Sequence, residues 1–281
     1  RGLGDVYKRQ VLLLSHIACH NVIFHIKANR SLTQDNYKLS EVKMQQIILA
    51  AGKGTRLNMP VTNKCLVKVS EKALIDYNLE LSHEINANKI LVIVGHNKDS
   101  LINYIGSSYN GIPVKYIEQQ PQLGIAHGIM QAIQNINGSF LMCLSDELLV
   151  RHQLSLFLKF FRETEADCVC GIVKDSDENI AKAYTVEINN QKLITRIVEK
   201  PEYMFNQYKG TGYCLMRQTM LDVLPKLEKN AQRGEYEMGD WIRLAINQGK
   251  KCYAFEIGEA DFNVNEQTDI YEAENYILSS Q

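Results

Sequence analysis

Ile47-Ile48-Leu49-Ala50-Ala51-Gly52-Lys53-Gly54-Thr55-Arg56-Leu57 reads as a buried strand that runs into a glycine turn, and Lys64 follows eight residues after Arg56. The apolar run has the β-branched and aliphatic character of a strand covered on both faces. The turn then offers two glycines, whose missing Cβ lets backbone come close to a ligand. Consecutive bare N–H groups in such a turn form an anion-binding concavity, and Arg56 and Lys64 add fixed cations. A polyphosphate is the ligand that this chemistry fits. Two familiar phosphate loops do not match: a P-loop needs G-x-x-x-x-G-K-[ST], and here Lys53 precedes the second glycine. The dinucleotide fingerprint needs a third glycine where Leu57 stands. Taken alone, the stretch also describes an ordinary strand-to-helix turn.

Outward from this stretch, the 281-residue chain has room for one large or two small domains. A hydrophobic share of 45% and a charged share of 22% are those of a globular protein. A net charge of −1 provides no basic field for nucleic acid, and no apolar run is long enough to span a membrane. The seven cysteines are an odd number without metal-like spacing, and buried reduced thiols in a cytoplasmic protein are the expected arrangement. Residues 1–43 lack periodic patterning, and the first Met is Met44, just before the key strand. An appended leader over 1–43 and a single domain over 44–281 are expected.

Within 44–281 the pattern alternates. Apolar strands are expected at 45–50, 89–95, 114–118 and 140–144, with helices at 73–86, 100–105, 125–136 and 152–161 between and after them. That order predicts an α/β fold: a three-layer, Rossmann-like sandwich around a mixed, mostly parallel sheet. In the second half, strands are expected at 167–173, 184–188, 193–198, 212–216 and 251–257. The pair 184–188 and 193–198 reads as a hairpin, with the antiparallel pieces joining the same sheet. Helices are expected at 221–227, 238–247 and 266–278. No linker divides these residues, so one domain in two halves is expected, 44–150 and 151–281.

Several further segments carry chemistry. Gln119, followed by Gly124 at a helix start, can donate and accept at once, which suits the imide edge of uracil or thymine. Asp146 follows an apolar strand, where an open α/β sheet turns side chains into its ligand crevice; a carboxylate there suits Mg²⁺. Glu147 is expected in solvent. Glu199-Lys200-Pro201 ends another strand. Asn263 and Asn265 share a face if that piece is extended, and either can add an oxygen donor.

In this order the motifs resemble the sugar nucleotidylyltransferases, also called NDP-sugar pyrophosphorylases. The resemblance covers 44–281 and rests on Leu49–Leu57, Lys64, Gln119…Gln122-Leu123-Gly124, Asp146, Glu199-Lys200-Pro201, Thr211-Gly212 and Asn263-Val264-Asn265. It implies that a nucleoside triphosphate and a sugar 1-phosphate are joined, with release of pyrophosphate. It implies nucleotide binding by Leu49, Ala51, Gly52, Gly54, Thr55, Gln119 and Gly124. Arg56, Lys64 and Lys200 would be catalytic. Tyr184, Glu199, Thr211 and Gly212 would hold the sugar, and Asp146 and Asn263 would hold Mg²⁺. Neither nucleic acid nor membrane is implied as a partner, and homo-oligomer formation is left open. Two positions depart from the family pattern: Ser145 stands where glycine is usual, and Asn263 where many members carry Asp. UTP or dTTP is favoured; a CTP- or GTP-using member and a non-catalytic sugar-nucleotide-binding homologue are the alternatives.

Overall fold

Seven consecutive buried residues, Met44–Ala50, form β1, whose side chains alternate between two cores as a pleated strand requires. The computed structural model describes residues 44–54 and 63–279; the expected leader over 1–43 lies outside them. After β1 come β2 (Lys68–Val69), β3 (Lys72–Ala73), β4 (Ala87–Val94), β5 (Ser108–Tyr109), β6 (Ile112–Glu118), β7 (Phe140–Leu144) and β8 (Glu147–Val150). The remaining strands are β9 (Cys168–Lys174), β10 (Tyr184–Ile188), β11 (Ile194–Glu199), β12 (Tyr208–Met216), β13 (Cys252–Glu256) and β14 (Ala260–Asn263). The helices are α1 (Leu74–Glu84), α2 (Lys98–Ile105), α3 (Ile125–Ala132), α4 (Leu154–Glu163), α5 (Asp177–Ile180), α6 (Met238–Asn247) and α7 (Gln267–Ser279).

Eight strands make the central sheet in the order β13-β9-β12-β7-β1-β4-β6-β5. β1 lies parallel to both β4 and β7, β4 to β6, and β9 to β13; β12 runs antiparallel between β7 and β9, and β5 antiparallel on the edge. Ile47 and Leu49 face α3 and α6, packing with Ala126, Ile129, Trp241 and Ile242. Ile48 and Ala50 face α1 and α2, packing with Ile75, Leu79, Leu101 and Ile105. Helix α4 covers the β7–β9 side through Leu154, Phe157, Leu158 and Phe161. The result is the expected three-layer α/β sandwich with a mixed, mostly parallel sheet.

Three expectations are corrected. The β10–β11 hairpin pairs as expected but forms its own two-stranded sheet; of the second-half strands in the main sheet, β12 is the one that runs antiparallel to its neighbours. The helix expected at 221–227 is a 3-10 run, Gln218–Lys226. Pro225 sits inside it and has no N–H to give an α-helical bond. β8 and β14 were not foreseen. They pair antiparallel, Glu147 opposite Asn263 and Asp261 opposite Leu149, and that pairing brings residues more than a hundred positions apart in sequence to one spot.

Among the described residues, no helix is long and apolar enough to cross a membrane. Six cysteines are free and buried. β9 and β12 bring Cys168, Cys170 and Cys214 together, their ligand atoms within 4.8 Å of one another, a juxtaposition that Cys168-x-Cys170 alone did not reveal. All three side chains are wholly enclosed in the apolar core.

Candidate active site

The carboxyl ends of β1 and β7, the bulged part of β12 and the start of α3 enclose a cleft of about 490 Å³, within the usual size of small-molecule sites. Leu49, Ala51, Gly52, Lys53, Gln119 and Gly124 line one side. Asp146, Asn263, Tyr184, Glu199, Lys200, Thr211 and Gly212 line the rest. Lys64 joins them through its bond to Asp146. Thr55 and Arg56 lie outside the described residues.

The glycine turn is built for close approach. Gly54 has φ +59°, and a Cβ there would stand 2.7 Å from the Lys64 Cβ. Only glycine therefore lets the turn fold back onto the residue that carries the cation. Among the described residues, no backbone carbonyl accepts from the N–H groups of 52–54, and Lys53 adds an exposed ammonium to the rim.

Lys64 opens a short 3-10 turn capped by Asn63. Its Nζ donates to Asp146 Oδ2 at 2.6 Å and to Asn265 Oδ1 at 2.8 Å. One carboxylate and one amide oxygen thus converge on a single cation. Asn263, the expected second oxygen, has its Oδ1 accepting from Asn265 Nδ2 at 2.5 Å. Asn265 is the residue that sequence reasoning weighed but did not select. The Val264 N–H donates to the Asp146 carbonyl at 2.8 Å, which fixes this segment beside the acid.

Ser145 does not crowd the cleft. Its Oγ donates to the Leu49 carbonyl at 2.7 Å and accepts from Cys65 Sγ at 2.9 Å. Burial pushes the Cys65 thiol up to about 12, so it stays a proton donor. Glu147 is corrected from solvated to buried, with 5% of its surface exposed. Its Oε2 accepts the Gly212 N–H at 2.5 Å. That bond is open because β12 loses register with β9 between Gly210 and Cys214. Burial, then Asp261 and Asp146, raises the Glu147 carboxyl well above its usual range.

On the sugar side of the expectation, Glu199 Oε2 accepts the Gly239 N–H at 3.1 Å. Burial, then Glu237, raises its pKa. Lys200 has a left-handed backbone, φ +47°, a strained conformation for a residue with a long side chain. Its Nζ reaches Glu237 Oε1 at 3.3 Å, and Arg233 Nε donates to that same oxygen at 2.6 Å. Tyr184 and Thr211 reach the cleft, but their hydroxyls are turned to the chain: Tyr184 donates to the Thr211 carbonyl at 3.2 Å, and Thr211 to the Gly171 carbonyl at 3.0 Å. Glu237 and Asn265 are the site residues that sequence reasoning did not assign. Glu237 sits in no local motif and is known only by the side chains it meets.

On the base side, Gly124 has φ +96°, and a Cβ there would meet the Tyr236 carbonyl at 2.7 Å. The Tyr236 N–H donates to Leu123 O and its carbonyl accepts from Ala126 N, at 2.8 and 3.0 Å. The loop from Leu123 to Ala126 is thus clamped by a segment of the second half.

A parallel-strand sheet with a glycine turn, a carboxylate at a strand end and cations around one cleft defines a phosphate-handling α/β protein. The sequence model for nucleotidyl transferases matches residues 45–279. The chain is 31% identical over 235 residues to the UTP–glucose-1-phosphate uridylyltransferase AglF of Haloferax volcanii, covering 82% of this chain and 95% of that one. It is 27% identical over 241 residues to the bifunctional protein GlmU of Methanococcus maripaludis, covering 84% of this chain. It spans only 55% of that relative's length. Among solved structures, UDP-glucose pyrophosphorylase complexed with UDP-glucose superposes with a TM-score of 0.75 at 21% identity, over 85% of this chain and 100% of that one. The chain belongs to the nucleotidyl transferase family.

Proposed function

We propose that this nucleotidyl transferase joins UTP or dTTP to a sugar 1-phosphate, giving an NDP-sugar and pyrophosphate. The observation that carries the reading is one cleft lined by the glycine turn, Asp146, Glu199 and Lys200 together. The similarity to a UTP–glucose-1-phosphate uridylyltransferase supports the same choice. In this reading, residues 44–150 hold the nucleotide and 151–281 the sugar. Six free buried thiols fit a reducing compartment, and we place the reaction in the cytoplasm.

A sugar phosphate oxygen is a nucleophile at neutral pH and needs no general base. It attacks the α-phosphorus in line; the new P–O bond forms as the bond to the β-phosphate bridging oxygen breaks, and pyrophosphate leaves with that electron pair. The obstacle is the repulsion between two polyanions. Preorganised positive charge and positioning are the remedies. Lys53, Lys64 and Lys200 supply charge along the cleft, the N–H groups of 52–54 receive phosphate oxygens, and Arg56 is assigned to the leaving pyrophosphate. Glu199 accepts from sugar hydroxyls, while the backbone at Thr211 and Gly212 lines the sugar pocket beside the Tyr184 ring.

Asp146 and Asn265, with Asn263 beside them, fit a hard cation: two oxygens already converge on the Lys64 ammonium, and carboxylate and carbonyl oxygens are the donors that Mg²⁺ takes. When bound there, Mg²⁺ would neutralise phosphate charge. Pyrophosphate release measured across a matrix of nucleoside triphosphates and sugar 1-phosphates, with and without Mg²⁺, tests the proposal. Release with UTP or dTTP that stops on chelation and returns with Mg²⁺ is the expected result. No release with any pair would end it.

A further inference from the structure

The hydrogen bonds of Gln119, in the cleft, are asymmetric. Its Nε2 donates to the Gly124 carbonyl at 2.9 Å and lies 3.1 Å from His127 Nδ1. A carboxamide nitrogen has two hydrogens, so both are used on the chain. No donor among the described residues reaches its Oε1. We infer that His127 is a positioning residue that fixes the Gln119 amide with its oxygen as the only group left for the base, and so makes the site select bases carrying a ring N–H over cytosine.

The chemistry is as follows. A carboxamide is nearly symmetric in shape, and turning it by 180° exchanges donor for acceptor. Uracil and thymine present an N3–H, which an oxygen can accept. Cytosine presents a bare N3, whose lone pair would face the lone pairs of that oxygen. Discrimination therefore depends on which way the amide points. His127 sits three residues after Gly124, one helical turn into α3, and is 8% exposed. Its ring stacks on Tyr236 at a centroid distance of 6.0 Å and 17°, which holds the imidazole plane. The Gly124 carbonyl fixes the Gln119 nitrogen toward Nδ1, which must then accept; the ring proton lies on Nε2, which faces the Gln131 amide at 3.2 Å. Gly128 leaves the far side open: a Cβ there would stand 3.3 Å from Gln119 Oε1. The contact with Gln119 gives the packing of His127 a consequence for specificity.

This inference rests on the base-loop role given to Gln119 above, and the test separates the two. Equilibrium binding of UTP and of CTP is measured by calorimetry for the wild type, His127→Phe and His127→Asn, with pyrophosphate release measured alongside. Phe keeps the ring stacked on Tyr236 but has no acceptor; the Asn amide oxygen can take the place of Nδ1. Losing one neutral hydrogen bond that orients the amide should cut the UTP-over-CTP preference about 10-fold in His127→Phe. His127→Asn should retain the preference to within about twofold, and the KM for sugar 1-phosphate should stay put in both. A wild type that prefers UTP in binding but releases no pyrophosphate with any sugar 1-phosphate would end the transfer reading and leave the role of His127 standing. Equal loss of UTP and CTP binding in His127→Phe, an unchanged preference, or a wild type that prefers or fails to distinguish CTP would overturn it.

Discussion

On the proposed reading, the two halves of the cleft solve one problem, holding an anion, by different means. The nucleotide side relies on backbone: the 52–54 turn, the Gly124 bend and the N–H groups around them, all at the ends of parallel strands. Its motifs are short and local. The sugar side relies on charged side chains, each set by a partner far away in sequence. Lys200 meets Glu237, and Glu199 meets Gly239. Backbone amides are rigid and fixed once the strand is fixed. Long side chains are not, and they need paired charges to hold a geometry. The difference predicts that the nucleotide side should break through conformation and the sugar side through charge.

The sharpest test lies at the seam, where the halves share Asp146. Asp146→Ala, and separately Lys64→Ala, should lower turnover by about 10²–10³-fold, the scale of one preorganised charge-stabilising contact. Near-normal pyrophosphate release from both would remove the shared centre. On the nucleotide side, Gly124→Ala should raise the KM for nucleoside triphosphate about 10-fold or more and destabilise the domain by about 1–3 kcal/mol, because its new Cβ meets Tyr236 backbone in a left-handed bend. Thermal unfolding and the KM of each substrate measure this; an unchanged nucleotide KM would count against a base loop.

On the sugar side, Glu237→Gln should raise the KM for sugar 1-phosphate by about 5–10-fold while leaving the nucleotide KM in place, since it removes one charge that steadies Lys200 and Arg233. Parallel loss of both substrates would show that the halves are not separable. The smallest expected effect is on stability. The Glu199 carboxyl is raised above its ordinary 4.5 by burial and by Glu237. The folded state therefore binds its proton more tightly than the unfolded chain does. Stability should rise as pH falls through the raised value towards 4.5, and fall again as pH climbs back through it. Melting curves across that window should show this slope in the wild type and a flatter one in Glu199→Gln.

Legibility in the sequence followed the same divide. β1 and β4 announced themselves as runs of aliphatic residues, and the glycine turn and Gln119…Gly124 could be read because each lies within a few residues of a strand end. Glu147 could not. Next to Asp146 it looked like a second solvated acid, and nothing nearby said that β12 would break register and offer the Gly212 N–H. An alternation of asparagines likewise gives no hint that Asn265 meets Lys64 while Asn263 lines the cleft. The 3-10 run through Pro225 was misread by following apolar spacing past a residue that cannot give an α-helical bond.

The sequence by itself determined the sandwich, the order of its motifs and the glycine turn, because hydrophobic period and glycine chemistry act over a handful of residues. Only the tertiary structure decided which oxygens meet Lys64, which way Glu147 points and that His127 holds Gln119. Those contacts are made between side chains brought together by strand pairing and helix packing, and their energies depend on distances that no local spacing encodes.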